Sequence, residues 1–120
     1  MADHEMKAHD RLPVLEATLG FLAAPSADAD LAATLAAGGT TVSFIMKKKT
    51  GASATKVNAA ATIVDAATRL VRYSWIAADT TEAGEFNGEF EVTRADGKVQ
   101  TFPTSGYIDI LINPDLDAAP

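Results

Sequence analysis

The chain has 120 residues, a formal net charge of −6 and no cysteine. That length holds one domain with one core, and the missing thiols exclude a disulfide framework, a thiolate metal site and a cysteine nucleophile, so stability has to come from packing. The acidic balance repels phosphate backbones, and the basic residues are scattered except for Lys47-Lys48-Lys49 with Lys56 nearby, which argues against nucleic acid as a partner.

No apolar run approaches the roughly 20 residues that cross a bilayer, so no membrane span is expected. The polar start, Met-Ala-Asp-His-Glu-Met-Lys-Ala-His-Asp, lacks the apolar stretch of a secretory signal, and export by that route is not expected either. Residues 1–11 carry charge without evident periodicity and read as an extended N-terminal arm. In residues 13–21, Leu15, Ala17, Leu19 and Phe21 alternate against Val14, Glu16 and Thr18, which suits an edge strand with its odd face inward. Residues 24–39 change to Ala, Asp, Ser and Gly. They read as a short helix, with Ser26 or Asp28 as N-cap and Gly38 as the stop, or as a loop with a helical turn. Residues 40–47 place Val42, Phe44 and Met46 on one face and Thr41, Ser43 and Lys47 on the other, the pattern of a central strand.

After a polar connection over residues 48–57, residues 59–76 allow two drawings. Ile63, Ala67, Leu70 and Val71 recur at helical spacing. Against one long helix, Val71, Tyr73 and Trp75 alternate with Arg72 and Ser74, and the aromatic and β-branched content favours strands. The reading is therefore two strands, residues 58–65 and 70–76, joined by a turn at Asp65-Ala66-Ala67-Thr68. Residues 76–83 follow as a polar loop with room for one helical turn. Next, Phe86, Phe90 and Val92 fall on even positions against Glu85, Asn87, Glu89, Glu91 and Thr93, a half-buried strand. Asp96-Gly97 tolerates the positive φ that a tight reversal into residues 98–102 requires. Pro103 breaks pairing, residues 106–112 make a last strand burying Ile108, Ile110 and Ile112, and residues 113–120 form a second polar arm. About seven strands joined mostly by hairpin-length links predict an all-β, antiparallel two-sheet sandwich over residues 12–112.

Little in the chain reads as catalytic, so no enzyme is expected. His4 and His9 are five apart with no third ligand beside them, a poor zinc spacing. No Gly-x-Ser-x-Gly elbow frames a serine, and no glycine run matches a phosphate-cradling loop. Glu85, Glu89 and Glu91 share a strand face and offer carboxylates for a hard cation, but a solvated face opposite the core explains them more simply. Trp75 is either a stacking platform for a sugar or a core residue, and its company with Val71 and Tyr73 favours the core. The Lys47-Lys48-Lys49 run suits an acidic partner or a solvated strand end. No catalytic residue, metal or cofactor follows from these patterns.

Several stretches taken together resemble the N-terminal domain of the phage baseplate upper protein family, an immunoglobulin-like β-sandwich. They are Leu12-Pro13-Val14-Leu15-Glu16-Ala17-Thr18-Leu19, Thr41-Val42-Ser43-Phe44-Ile45-Met46-Lys47, Ile63-Val64-Asp65-Ala66-Ala67 and Val71-Arg72-Tyr73-Ser74-Trp75. The likeness continues through Asp79-Thr80, Ala83-Gly84, Glu89-Phe90-Glu91-Val92-Thr93, Asp96-Gly97, Thr101-Phe102-Pro103 and Gly106-Tyr107. Where that family makes a short aspartate-glycine turn after its first strand, this chain carries residues 23–39. The resemblance implies a non-catalytic virion structural protein of a tailed phage, made in the host cytoplasm and assembled in many copies with other virion proteins. Its place would be the tail, baseplate, neck or capsid surface. Assembly contacts are expected in the two arms, at His4, His9, Asp10, Arg11, Asn113, Pro114, Asp115 and Leu116. The alternative function is a carbohydrate-binding β-sandwich, which needs exposed aromatic rings beside a polar groove.

Overall fold

The computed structural model describes residues 3–20, 25–49, 55–103 and 106–114, those at 25–29 by backbone alone. In chain order they form β1 (His4–Lys7), β2 (Leu15–Thr18), α1 (Pro25–Ala36), β3 (Thr41–Lys48), β4 (Thr55–Asp65), β5 (Leu70–Tyr73), a 3₁₀ turn (Ala77–Thr80), β6 (Gly84–Thr93), β7 (Val99–Phe102) and β8 (Ile108–Asn113). The period-two patterns become the two faces of these strands. Val42, Phe44 and Met46 of β3, Phe86, Phe90 and Val92 of β6, and Val71 and Tyr73 of β5 are all buried.

Hydrogen bonding runs β1-β8-β6-β3-β4-β5-β2, with β7 on β6. β4 belongs to both layers: it pairs with β3 as far as Ala61 and with β5 from Thr62 onward. A register shift between Ile63 and Asp65 accompanies the second pairing, as an irregularity that bends a strand toward another layer does. The layers then meet face to face. The Phe44 ring stacks on Tyr73 with centroids 4.7 Å apart, meets Trp75 edge-on at 5.7 Å and touches Phe90 at 5.2 Å. Ala59 stands opposite Phe44 on β4, where a small side chain leaves the ring its space. The predicted all-β sandwich is what the chain forms, and the aromatic cluster is its centre. Trp75 is 4% exposed, a core residue and not a stacking platform.

The reversal after β6 uses the predicted pair. Gly97 has φ 89°, its N–H donates to the Arg94 carbonyl at 2.9 Å, and the Asp96 carboxylate accepts from the Lys98 N–H at 3.0 Å. The turn between β4 and β5 spans the predicted residues but puts Arg69, not a glycine, at φ 61°. That residue is held on both sides: its carbonyl accepts from the Leu19 N–H at 2.9 Å, and its Nε donates to the Leu19 carbonyl at 2.6 Å.

Four expectations need correction. The N-terminal arm contains a strand: β1 pairs in parallel with β8, from His4 opposite Ile110 to Lys7 opposite Asn113, and Met6 and Ala8 are buried. The sheet system is consequently mixed and has eight strands. At the other end, Asn113 is the last residue of β8 and not the first of an arm, and that strand begins at Ile108. Residues 25–36 are helical, and α1 starts at Pro25, ahead of Ser26 and Asp28, so neither residue caps it. Proline suits a first helical turn, where its missing N–H would have no partner. Leu31 and Leu35, one turn apart, are buried in the common core, and Asp30 pairs with Arg94 at 3.0 Å. The inward placement expected of Phe21 lies outside the described residues.

Candidate functional site

The residues between β1 and β2 are fastened to three separate parts of the sandwich. The Ala8 N–H donates to the Asn113 carbonyl at the end of β8, at 2.7 Å. The His9 N–H donates to the Thr80 carbonyl of the 3₁₀ turn at 2.8 Å, and the Thr80 hydroxyl donates to the Asp10 carbonyl at 2.9 Å. The indole N–H of Trp75 donates to the Pro13 carbonyl at 3.2 Å. These bonds hold His9 at φ 72°, a conformation that costs a non-glycine residue about 1–2 kcal/mol and persists only where the surroundings enforce it.

The fastened segment and the end of β5 enclose an open groove of about 720 Å³, lined by His9, Asp10, Arg11, Leu12, Val14, Ser74 and Trp75. His9, Asp10 and Arg11 thus come together on one surface. Leu12 is 72% exposed on it, whereas Trp75, which also lines it, is buried. His4 stands away from the groove lining. Its ring lies against Trp75 with centroids 5.7 Å apart, and its buried Nε2 has no hydrogen-bond partner among the described residues. Burial pulls the His4 pKa below its ordinary value, and the nearby Pro13 carbonyl opposes this by favouring the protonated ring. Asn113 sits at the flank, where its side-chain amide donates to Glu5 at 2.8 Å. Pro114 is exposed just beyond it, and Asp115 and Leu116 lie outside the described residues.

Under the groove, in the stretch expected to be a polar loop, is a buried polar network. Asp79 and Thr80 are 5% and 0% exposed. The Asp79 carboxylate accepts from the Tyr73 hydroxyl at 2.5 Å and from the Ile76 N–H at 3.0 Å. Burial, together with the Asp79 carboxylate, raises the Tyr73 pKa well above its ordinary value. The network ties β5 to the 3₁₀ turn, and Thr80 ties that turn to the groove.

The other candidate groups are dispersed. Lys48 pairs with Glu82 at 2.7 Å and Lys49 with Asp109 at 2.6 Å, while Lys56 donates to the Thr81 hydroxyl at 3.4 Å. The Lys47-Lys48-Lys49 run is therefore largely engaged within the chain. Glu85, Glu89 and Glu91 alternate with the buried residues of β6. Among the described residues, no group of three or more His, Asp or Glu side chains is placed to hold a metal ion, and no helix is long and apolar enough to cross a membrane.

Fold and surface together define a mixed β-sandwich with an anchored N-terminal strand and one open groove beside it. Among solved structures the chain is similar to CopC from Methylosinus trichosporium OB3b, with a TM-score of 0.51 at 14% sequence identity, over 99% of this chain and 91% of that one. At that identity the likeness shows the fold alone. No protein-family model and no curated protein matches the chain.

Proposed function

We propose that the chain is a non-catalytic structural module of a tailed-phage particle, held in the tail, baseplate, neck or capsid surface by contacts with other virion proteins. The observation that carries this reading is where the family-like stretches fall. They occupy, in order, β2, β3, the β4–β5 pair, the 3₁₀ turn, β6, β7 and the approach to β8. The less obvious members have structural work to do. Asp79 ties Tyr73 to the 3₁₀ turn, Thr80 fastens the N-terminal segment, and Asp96-Gly97 makes the hairpin turn. A likeness spread over strands and turns supports a shared domain. The rim from His9 to Arg11 is the surface this reading assigns to assembly. Disrupting the gene tests the proposal: particle assembly should stop at a defined incomplete structure. Intact infectious particles assembled without the chain would overturn it.

A further inference from the structure

Tyr107 is 57% exposed, and among the described residues it is the one Phe, Tyr or Trp ring that is not buried. An exposed tyrosine alone is ordinary surface; its neighbours set this one apart. It shares a small cleft of about 130 Å³ with Ile45, Lys47, Lys48, Asn87 and Glu89, on the face of β3 and β6 opposite the core. Strand register builds the cleft. Ile45 stands opposite Glu89 and Lys47 opposite Asn87, while Asn87 faces Asp109 and Gly88 faces Ile108, so one further step puts Tyr107 beside Glu89. The flanking charges are drawn aside, Lys48 to Glu82 at 2.7 Å and Asp109 to Lys49 at 2.6 Å. The side chains of Lys47, Asn87, Glu89 and Tyr107 have no hydrogen-bond or ion-pair partner among the described residues. Lys47 and Glu89 thus line one cleft without pairing, and Asn87 and Glu89 are unengaged although half-buried.

An ammonium donates, a carboxylate accepts and an amide does both, so these three groups beside a ring match a ligand whose own polar groups do both at short spacing. Vicinal hydroxyls have that property. Lys47 and Glu89 cancel in formal charge, which favours a neutral ligand, and one unengaged carboxylate is too few for a hard cation. The cleft is smaller than the roughly 300–1,000 Å³ that enclose a drug-sized ligand, which suits a single ring lying half in solvent. We propose that it binds one neutral hexopyranose unit of a glycan, with the C–H face of the sugar on the Tyr107 ring and Ile45, and vicinal hydroxyls shared among Asn87, Glu89 and Lys47. The site is separate from the His9, Asp10 and Arg11 rim and does not rest on the assembly reading. A lone contact of this size binds in the millimolar range.

Amide NMR spectra of the purified full-length chain test this, with separate titrations of the methyl glycosides of glucose, galactose, mannose and N-acetylglucosamine. At least one should give saturable shifts at Lys47, Asn87, Glu89 and Tyr107. Tyr107→Ala and Asn87→Ala, each checked for folding by its amide spectrum away from the cleft, should weaken that binding about tenfold, whereas Tyr107→Phe keeps the ring and should stay within about twofold of the native chain. No saturable shift with any of the four glycosides would overturn the proposal, and so would equal binding by Tyr107→Ala. Glycerol offers hydroxyls without a ring face, and the same shifts from glycerol at the same concentration would overturn it as well. A blocked tetra-alanine peptide that shifts these amides where no glycoside does would make the cleft a peptide site, with the same consequence. Each result is read on purified protein and leaves the gene-disruption test of the assembly role standing by itself.

Discussion

Gly88 lies in the middle of β6, buried, on the face that carries Phe86 and Phe90. A Cβ added there would stand 2.8 Å from Ile110 Cδ1 and 2.9 Å and 3.1 Å from Cε1 and Cζ of Phe44. The Ile110 methyl is the end of a flexible side chain and can turn away. The Phe44 ring cannot do so easily, because Tyr73, Trp75 and Phe90 hold it at centroid distances of 4.7, 5.7 and 5.2 Å. Overpacking of this kind costs about 1–3 kcal/mol. Gly→Ala also restricts the unfolded chain, which returns about 0.4–1 kcal/mol at a position whose backbone alanine can adopt. Gly88→Ala should therefore destabilise by about 1–2 kcal/mol net. Urea denaturation should show a lower midpoint at unchanged slope. The same substitution in a Phe44→Leu background, where the ring no longer crowds the site, should cost measurably less, and a double-mutant cycle isolates that difference. A neutral or stabilising Gly88→Ala, or an equal cost in both backgrounds, would refute this packing of the Phe44 ring over β6.

Tyr73→Phe removes the hydroxyl that Asp79 accepts from and should cost about 1–3 kcal/mol in the same assay. Because the folded Tyr73 pKa is raised above its unfolded value of 10.0, its contribution is complete below pH 10 and is lost as the pH rises further; the phenylalanine variant should lack that part of the alkaline decline. His4 has the opposite sign. Its folded pKa is depressed below 6.5, so the stability it permits is held above pH 6.5 and falls as the pH drops through the folded value. His4→Gln should flatten stability in that window, and an unchanged pH profile would place the ring in water. Met6→Ala should cost about 2 kcal/mol or more, since Met6 is 5% exposed within the core cluster. A cost near zero would mean that β1 is frayed in solution.

The parts of the fold that the sequence reveals are those where large side chains keep a period of two. Phe44 with Val42 and Met46, Phe86 with Phe90 and Val92, and Tyr73 with Val71 and Trp75 each declare a face before any partner is known. Even Gly88 falls in phase with its strand, where a glycine marks a close approach. β1 keeps the same period, with Asp3, Glu5 and Lys7 against His4, Met6 and Ala8, but histidine and alanine are weak markers of an inner face. Its pairing partner β8 lies at the far end of the chain, so no local pattern sets the register. In α1, Leu31 and Leu35 have helical spacing, yet alanines around them dilute the contrast between faces. The groove is less legible still. It exists because Ala8, His9 and Pro13 bond to Asn113, Thr80 and Trp75, three stretches whose proximity only the folded topology creates. Asp79 was obscured for a related reason: a buried carboxylate within a polar loop looks like any solvated one until the Tyr73 hydroxyl is placed on it.

The proposed role makes this sandwich a structural part of a tailed-phage particle. Quantitative mass spectrometry of purified intact particles, from cells that encode the chain, tests it most directly. The chain should be present in a fixed ratio to the other tail or capsid proteins and should stay with the particles through density-gradient purification. Its absence from purified particles, with the chain recovered only in the soluble lysate, would overturn that role.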